Sequence, residues 1–362
     1  LYIMIEKFSL QRSMTDKNVS LLLEELYSVK GNYLIIADEN WAQTNWADLA
    51  SRCQCELDII SNRYDVAQQA EAAGLSVTFN DLDFSHLENH YYDGILFRVC
   101  KERASSHHVI NHAFHLLKPQ GSLLLSGNKN DGIKAYVKNA CNLFGDRTAA
   151  KKNGNNYLAI VTLYPAEKEP LDDKSYAKTR KIPIIENVTL RSKPGIFGWE
   201  KVDRGSAFLV EHLPLFLERF PQPPKSLLDL GCGYGYLCSH ATELGIEQIT
   251  ATDNNAAALL ATTENFQTTS SEVQVIASDA GDTISQRFDT IWCNPPFHQG
   301  FAVDGDMSSK FLAASRRLLA PGGHALFVVN TFIPLEQKAK KYFRSIQVLE
   351  KNSSFKLIAL SN

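Results

Sequence analysis

The chain has 362 residues, which exceeds one ordinary domain, so we expect two domains. Hydrophobic residues make up 44% and charged residues 21% of the sequence, as in soluble globular proteins. The formal net charge of −3 neither requires nor excludes a nucleic-acid partner, because a local basic stripe can bind RNA within a near-neutral chain. No apolar run approaches the ~20 residues of a membrane span, so we expect a cytoplasmic protein with no membrane partner.

Seven cysteines are present without paired C-x-x-C spacing. Cys53 and Cys55 lie only two positions apart and no histidine cluster accompanies them, so we expect no metal site. Reduced thiols in a cytoplasmic protein are the simpler interpretation. The apolar segment 1–5 is too short for a signal-peptide core, and we assign no function to the first dozen residues.

The first half of the sequence alternates strand-like and helix-like stretches. A helix is predicted over 106–117, and the turn 118–121 ends it because it contains proline and glycine. Strands that alternate with helices predict a parallel, doubly wound α/β sheet. The predicted strands fall at 33–37, 56–60, 92–97, 122–125, near 147–151 and at 157–163.

The second half repeats this plan. Both halves contain a strand with Asp at its second position, then a helix, then a Pro-x-Gly turn before the next strand, and both close with two strands. This shared order predicts an internal duplication and therefore two tandem Rossmann-like domains. The matching segments are 288–292 with 92–96, 308–319 with 106–117, 320–323 with 118–121, and 325–329 with 122–125, followed by strands at 346–349 and 355–360.

Differences between the halves carry the functional information. The second half has Asp-Leu-Gly-Cys-Gly at 229–233, where we align 36–40 of the first half, which has no glycine. The second half has Asn-Pro-Pro-Phe at 294–297, where the first has Arg-Val-Cys-Lys at 98–101. The strand Asp and the turn Pro are 26 residues apart in the first half and 32 in the second, which places an added loop at 298–306. We therefore expect one live site, in the second half, and a degenerate first copy.

A stretch with few apolar residues joins the two halves. Over 174–193 it contains one acid, Glu186, and two interpretations are open: a solvated linker, or a surface that contacts the phosphates of a structured RNA. We expect a degenerate domain at 1–165 that supports RNA recognition, a linker at 166–190 and a catalytic domain at 191–362. The cations of this stretch are Lys174, Lys178, Arg180, Lys181, Arg191 and Lys193.

Three strand ends of the second half predict a site for S-adenosylmethionine (SAM). The turn from Gly231 to Gly235 offers bare backbone, and the Asp229 carboxylate can accept from the methionine ammonium. Asp253 ends the next strand, 24 residues after Asp229, and can accept both ribose hydroxyls. Asp279 ends the third strand and can accept from the adenine amino group. The predicted SAM-binding residues are Asp229, Gly231, Gly233, Gly235, Asp253, Asn254, Ser278, Asp279, Ala280 and Asn294.

The stretch 294–297 predicts where a methyl acceptor reacts. An amine conjugated to a base ring is a poor nucleophile because its lone pair is delocalised. Hydrogen bonds from the amine to the Asn294 side-chain oxygen and the Pro295 carbonyl would aim that lone pair at the methyl group, and Phe297 offers a face for stacking. The predicted catalytic residues are Asn294, Pro295 and Phe297, and the predicted substrate-binding residues are Pro296, Phe297, His298 and Gly300.

His298 lies beside this site, and a wall residue that forms hydrogen bonds is a simpler interpretation of it than a general base. No strong base is required, because a sulfonium is a reactive donor and proton loss can follow transfer. Gly300 and Gly305 predict a flexible loop that can act as a lid.

The motifs together resemble the methyltransferase small family, most sharply from about 190 to 330. The degenerate first half is itself a family trait. This sequence departs from the family at Cys293, where Ser is common, and at Tyr234, where a smaller residue is usual and where the ring could narrow the methionine end of the pocket. The resemblance rests on 229–233, on 294–298 with Gly300, on Lys-Pro-Gly-Ile-Phe at 193–197, on Asp-Arg-Gly-Ser at 203–206 and on the closing pair 355–356.

The resemblance implies SAM-dependent methylation of the exocyclic amine, N2, of a guanine in 16S rRNA, at position 1207 in the family's convention. The implied partner is the small ribosomal subunit, and the first copy is expected to help bind the RNA. The pocket chemistry alone indicates an amine on a ring, and only the resemblance indicates which base and which RNA.

Other functions stay open at this point. Within the enzymes, the main alternative is a large-subunit rRNA guanine-N2 methyltransferase; adenine-N6 and release-factor glutamine methyltransferases share the Asn-Pro-Pro motif and are less favoured. From a different class, a ribosome-assembly factor without catalysis is possible, but the full set of SAM-site residues argues against it. A nicotinamide enzyme is disfavoured because hydride transfer has no use for Asn-Pro-Pro-Phe.

Overall fold

The structure is a computed structural model that describes residues 15–164, 168–182, 189–267, 273–296 and 305–362. It contains two seven-stranded sheets and one two-stranded sheet. Among the described residues, no helix has the length and apolar character needed to cross a bilayer.

The first sheet has the strand order β3-β2-β1-β4-β5-β7-β6. Its strands are β1 (Asn32–Ala37), β2 (Glu56–Ser61), β3 (Ser76–Phe79), β4 (Tyr92–Arg98), β5 (Leu117–Asn128), β6 (Lys151–Asn153) and β7 (Asn156–Thr162). The helices of this half are α1 (Lys17–Leu26), α2 (Trp46–Arg52), α3 (Tyr64–Ala72), α4 (Arg103–Leu116) and α5 (Ile133–Phe144), with short 3₁₀ turns at Glu39–Trp41 and Lys129–Asp131.

The second sheet has the order β12-β11-β10-β13-β14-β16-β15. Its strands are β10 (Ser226–Leu230), β11 (Gln248–Asp253), β12 (Val273–Ala277), β13 (Phe288–Cys293), β14 (Leu319–Asn330), β15 (Ser345–Lys351) and β16 (Phe355–Ser361). The helices of this half are α6 (Arg204–Glu211), α7 (Leu213–Leu217), α8 (Tyr236–Glu243), α9 (Ala256–Phe266), α10 (Gly305–Leu318) and α11 (Leu335–Ala339).

The two large sheets have the same order of strands, as the predicted duplication requires. In each sheet five strands run parallel, and the last two join antiparallel at one edge, so the sheets are mixed rather than wholly parallel. The predicted α/β class and the predicted repeat of the plan are confirmed. The strand predicted near 147–151 lies slightly later, at Lys151–Asn153, because Asp146 holds a turn there through bonds to the Arg147 N–H and the Thr148 hydroxyl.

The matched sequence signals of the halves have matched structural causes. Asp93 accepts a hydrogen bond from the Asn32 N–H at 2.8 Å, and Asp289 accepts from the Ser226 N–H at 3.1 Å. Each aspartate therefore fixes the start of the neighbouring strand, β1 or β10. The glycine of each Pro-x-Gly turn touches backbone, since an added side-chain carbon would lie within about 3 Å of a carbonyl oxygen.

A small sheet lies within the predicted linker. Strands β8 (Arg180–Ile182) and β9 (Leu190–Ser192) pair antiparallel, and their apolar residues pack in one cluster with Tyr234, Ala257 and Ala261 of the second half. Tyr234 is thus buried against this sheet, which gives the ring a packing role that the sequence did not suggest. The domain limits at 165 and 190 stay a prediction.

The halves meet where β2 and β11 end. The Tyr64 N–H donates to the Asn254 carbonyl at 2.9 Å, and the Ala256 N–H donates to the Asn62 carbonyl at 3.0 Å. Between these bonds Arg63 forms an antiparallel bridge with Asn255. The carboxyl ends of two strands, one from each sheet, are therefore joined directly.

Candidate active site

The site begins at Asp229 on the central strand β10. All five residues of this strand are buried, and Asp229 has no exposed surface. The Cys238 thiol donates to Asp229 Oδ2 at 3.2 Å, while Oδ1 is buried without a hydrogen-bond partner among the described residues. Burial raises the pKa of Asp229 to about 7. A buried carboxylate oxygen without a donor is a natural acceptor for a ligand ammonium.

The glycine-rich turn follows β10 and is fixed to β11. Gly231, Gly233 and Gly235 all have positive φ, between 56° and 86°, which favours glycine at each position. The Gly233 N–H donates to Asp253 Oδ2 at 3.0 Å. A side-chain carbon added at Gly233 would meet no atom within 4 Å, whereas one at Gly235 would lie 2.7 Å from the Phe266 ring. Gly233 therefore leaves its backbone open to a ligand, and Gly235 leaves room for the Phe266 ring of α9 at the start of α8.

Asp253 ends β11 and connects the turn to the next loop. Its Oδ1 accepts from the Asn255 N–H at 2.9 Å, and burial raises its pKa. The neighbouring Asn254, which is predicted in the SAM site, makes two side-chain bonds to the first half. Its Oδ1 accepts from the Asp65 N–H and its Nδ2 donates to Asp65 Oδ1, both at 3.0 Å.

The third predicted strand end is also ordered by local bonds. The Ser278 hydroxyl lies against the Thr252 hydroxyl and accepts from the Gly281 N–H at 2.8 Å. Asp279 forms an ion pair with Lys310 of α10, and burial raises its pKa despite that cation. Ala280 adopts a positive φ of 52° and is buried. An adenine ring that used Asp279 would therefore share that carboxylate with Lys310.

Asn294 follows β13, the strand on the other side of β10. Its Nδ2 donates to Asp203 Oδ2 and to the Ser206 hydroxyl, each at 2.8 Å. Pro295 is buried and Pro296 is exposed. Phe297, His298 and Gly300, together with most of the predicted lid at 298–306, lie outside the described residues.

The strand order brings these residues to one place. From β10 the chain proceeds to β11 and β12, which lie on one side of β10 within the sheet, and then crosses to β13 on the other side of β10. Ligands of open α/β sheets bind at the carboxyl ends of the strands beside such a reversal. Asp229 and the glycine turn lie on one side of the reversal and Asn294 on the other, so the predicted cofactor and acceptor groups are adjacent.

Three contacts of the candidate site were not predicted from the sequence. Asp203 and Ser206, in the motif 203–206, both accept from Asn294, and the contact of Asp65 with Asn254 joins residues 189 positions apart. The signal for the first two was present in the spacing Asp-x-Gly-Ser, which is typical of a helix N-terminus. No comparable signal marks Asp65.

The six linker cations differ in whether they already have partners. Lys193 is buried in an ion pair with Asp81 of the first half, and Arg191 pairs with Glu264 at 2.6 Å. Arg180 is half-buried, donates to the Lys174 carbonyl and lies over the Trp199 ring. Lys174, Lys178 and Lys181 are exposed and are the most available of the six to an outside partner. In the described part of the chain, no group of three His, Cys, Asp or Glu side chains is arranged to hold a metal ion.

Comparison with known proteins agrees with these motifs. Residues 187–359 match the family model of the Methyltransferase small domain. Ribosomal RNA small subunit methyltransferase C of Shewanella pealeana is 26% identical over 307 residues, which cover 84% of this chain and 86% of that protein. The protein of the same name from Haemophilus influenzae (strain PittGG) is 26% identical over 329 residues, covering 90% and 92%. The predicted family resemblance is confirmed.

A solved structure also matches nearly the whole chain. The 16S rRNA N2 G1207 methyltransferase (RsmC) of T. thermophilus, in complex with AdoMet (SAM) and guanosine, is 24% identical, with a TM-score of 0.80 over 96% of this chain and 92% of that one. This likeness shows the fold: two tandem Rossmann-like domains, as predicted.

Proposed function

We infer that this protein methylates 16S rRNA, because its second half is a methyltransferase small domain and its full length has the fold of RsmC. The proposed reaction transfers a methyl group from SAM to the exocyclic N2 amine of one guanine, in the small ribosomal subunit. The guanine is the one numbered 1207, the position named for the T. thermophilus relative.

The observation that supports the proposed chemistry is that two hydrogen bonds hold the Asn294 amide at the end of β13, the strand that pairs with β10, which carries Asp229. Both hydrogens of Asn294 Nδ2 are donated, to Asp203 and Ser206, which leaves Oδ1 as the acceptor for a substrate. The choice of guanine and of 16S rRNA rests on the relatives. The sheet reversal supports the adjacency of donor and acceptor sites.

The residues of the second half fit SAM. The buried Oδ1 of Asp229 has no hydrogen-bond donor among the described residues and can accept from the ammonium group of SAM. The backbone at Gly233 is free of neighbouring atoms and can contact the ligand. Asp253 lies at the next strand end, where it can accept from a diol while it also orders the glycine turn. SAM, when bound, supplies an electrophilic methyl group on a sulfonium.

The acceptor side must overcome the delocalised lone pair of the guanine amine. We assign the two N–H groups of that amine to Asn294 Oδ1 and to the Pro295 carbonyl. Neither Pro295 nor Pro296 has a backbone N–H, so neither adds a donor that would compete with the substrate. Phe297 is assigned the stacking face, which is worth about 1–3 kcal/mol per base. Asn294 also borders the SAM site, and Pro296, His298 and Gly300 are assigned to the wall around the base.

Positioning supplies the rate in this scheme. Holding two reactants in the right orientation lowers the activation barrier by about 7–11 kcal/mol, because their translational and rotational entropy is already lost on binding and solvent reorganisation is avoided. The chain therefore needs rigid acceptors, not a strong base. Proton loss from the methylated amine follows transfer. We place the reaction in the cytoplasm, where small subunits are assembled, with the exposed linker cations as candidate RNA contacts.

The test is methyl transfer from tritiated SAM to three hypomethylated substrates: intact small subunits, intact large subunits and naked rRNA. Asn294→Ala is the site variant, and Asn89→Ala, an exposed asparagine of the first half, is the matched control. We expect label on N2-methylguanine of the small subunit, lost by at least about 10²-fold in Asn294→Ala and retained in Asn89→Ala.

Two other outcomes would redirect the proposal. Label found only in large subunits would keep the chemistry and change the target. SAM binding by calorimetry without transfer to any of the three substrates would contradict the proposed reaction and favour a ribosome-assembly factor.

A further inference from the structure

The Asn294 amide is held by the first turn of α6. Asp203 is the N-cap of that helix, and its Oδ2 accepts from the Ser206 N–H at 2.9 Å as well as from Asn294 Nδ2 at 2.8 Å. The Ser206 hydroxyl takes the second hydrogen of the same nitrogen at 2.8 Å. One helix N-terminus therefore supplies two acceptors to one side-chain amide, across 91 and 88 residues of sequence.

The geometry leaves little freedom for this contact. A side-chain carbon at Gly205 would lie 3.0 Å from Asp203 Oδ2, 3.2 Å from the Phe355 ring and 3.5 Å from Asn294 Nδ2. A larger residue at 205 would therefore crowd the Asp203 carboxylate and the Phe355 ring, while its contact with the amide would be an ordinary one. The carboxylate is in turn fixed by its bond to the helix N-terminus. Each defined position of Asp-x-Gly-Ser thus has a part in holding Asn294.

The charge of Asp203 decides which way the amide faces. A flipped amide would direct Asn294 Oδ1 at the Asp203 carboxylate, which has no hydrogen to donate, and two facing acceptors repel. This repulsion points Oδ1 away from α6 and toward the substrate amine. A carboxylate that accepts from an amide N–H also polarises the amide, which makes its oxygen a stronger acceptor.

We propose that Asp203 and Ser206 are positioning residues for the methyl transfer, acting through Asn294. They lock the amide in the single orientation in which Oδ1 accepts the guanine N2 hydrogen. This inference rests on the proposed function, because it assumes that the acceptor is an amine. The three side chains that carry this role, Asp203, Ser206 and Asn294, all lie among the described residues.

The first experiment is a set of matched substitutions measured by single-turnover methyl transfer. Asp203→Ser and Asp203→Asn both keep a good N-cap, but only Asn reaches far enough to offer an acceptor to Asn294. We expect Asp203→Ser to lower the rate by about 10²-fold, the loss typical of a displaced reactive group, and Asp203→Asn to recover much of it. Ser206→Ala should lower the rate a few-fold and Ser206→Thr should restore it.

A double-mutant cycle separates positioning from folding. In an Asn294→Ala background the amide is gone, so Asp203→Ser should change the rate less than about 2-fold. SAM affinity, measured by calorimetry, should stay within about 2-fold of wild type in every Asp203 and Ser206 variant. An Asp203→Ser loss that is equally large in the Asn294→Ala background would show a structural effect of the cap and would overturn the proposal.

A binding measurement gives a readout that does not depend on turnover. Guanosine and inosine differ only in the 2-amino group, so their affinity ratio, measured by titration with S-adenosylhomocysteine present, reports on the Asn294 acceptor. We expect wild type to prefer guanosine, and Asp203→Ser and Asn294→Ala to lose that preference alike. An Asp203→Ser variant that keeps it would contradict the inference.

The outcomes distinguish the two proposals. If wild type methylates none of the rRNA substrates, the proposed function fails, whatever the Asp203 variants do. If wild type methylates small subunits and Asp203→Ser is as fast, the proposed function stands and this inference alone fails.

Discussion

The two halves of the molecule place different side chains at the same point of the same fold. Ile95 pairs with Leu34 in the first sheet as Ile291 pairs with Leu228 in the second, so Arg98 is the counterpart of Asn294. Where Asn294 is held as an acceptor, the Arg98 guanidinium is buried and pairs with Asp131 at 2.9 Å. One strand end is arranged to receive a substrate, and the other is closed by an ion pair.

The same register corrects the alignment made from sequence. In this register Ile35, not Ile36, is the counterpart of Asp229, and Ser61 is the counterpart of Asp253. Ser61 keeps the turn, since its hydroxyl accepts from the Arg63 N–H at 3.1 Å as Asp253 accepts from the Asn255 N–H. The first half therefore retains the bonds that shape its loops and lacks the acids that would bind SAM. The first half can therefore lack the carboxylates of the site and still keep the hydrogen bonds that its fold requires.

The largest expected effect is a loss of stability without a loss of activity when Arg98, the counterpart of Asn294, is replaced. Arg98→Met should lower the free energy of unfolding by about 3–5 kcal/mol, because it leaves a buried carboxylate without its cation. The rate per folded molecule should stay within about 2-fold, since Arg98 holds no substrate. Urea unfolding and single-turnover transfer measure the two quantities, with the exposed Arg103→Met as control. A folded Arg98→Met protein without activity would show that the first half takes part in the chemistry.

The next effect concerns the acid that only the second half has. Asp229→Asn should weaken SAM binding by about 10²-fold, because it removes a charge-assisted acceptor from a buried position. Burial raises the pKa of Asp229 to about 7, so the ionised form that accepts an ammonium is lost as the pH falls below 7. Wild-type SAM affinity should then fall up to about 10-fold per pH unit below 7.

The same shift has an opposite effect on the free protein. A carboxyl with a raised pKa stabilises the fold at low pH, and that contribution is lost as the pH rises through 7. Asp229→Asn should therefore be more stable than wild type at pH 8 without SAM, as judged by urea unfolding, while the exposed Asp83→Asn should not be. Equal pH dependence of SAM binding in Asp229→Asn and wild type would contradict the assignment.

A smaller effect tests whether the first half supports the cofactor site. Asp65→Ala should weaken SAM binding about 5-fold, because it removes the carboxylate that accepts from Asn254 Nδ2 and helps to order the loop that carries Asp253. Asn254→Ala also removes the bond from the Asp65 N–H, so it should cost at least as much, and the double variant should cost no more than Asn254→Ala alone. Calorimetry on these variants, with Gln69→Ala as an exposed control on α3, makes the measurement. Additive losses would mean that the residues act separately.

The smallest effect concerns the linker. Lys178→Glu and Lys181→Glu change cations that are exposed, whereas Lys193 and Arg191 are already paired within the protein. On the interpretation that these lysines contact RNA phosphates, the slope of log affinity against log salt should fall by about 1 for each substitution. Filter binding of small-subunit rRNA measures that slope. An unchanged slope would favour the solvated linker.

Much of the fold was predictable because strong local signals specify it. Apolar runs marked the central strands, and the repeated Asp and Pro-x-Gly signals marked positions where β4 and β13 fix their neighbours. The sheet between 180 and 192 was not predicted because its strands are three residues long and lie among polar residues. Such short strands depend on the Tyr234 cluster more than on their own sequence.

The residues that line the candidate site were predictable from the sequence, but the long-range hydrogen bonds that hold them in place were not. Strand-end acids and the glycine turn follow from the spacing of one βαβ unit. The bonds of Asn294 to Asp203 and of Asn254 to Asp65 join residues 91 and 189 positions apart, and sequence patterns read within a window of one element do not carry such contacts. The roles assigned to Phe297, His298 and Gly300 stay predictions.

The join between β2 and β11 has a consequence for how the chain arose. Tyr64 and Ala256 are counterparts, as are Asn62 and Asn254, and each N–H of the first pair donates to a carbonyl of the second across the join. A contact that maps onto itself when its two sides are exchanged is the mark of an isologous dimer. Fusion of two copies of a chain that formed such a dimer would produce this arrangement. In it, the strand end of one half can be closed while that half still braces the site of the other.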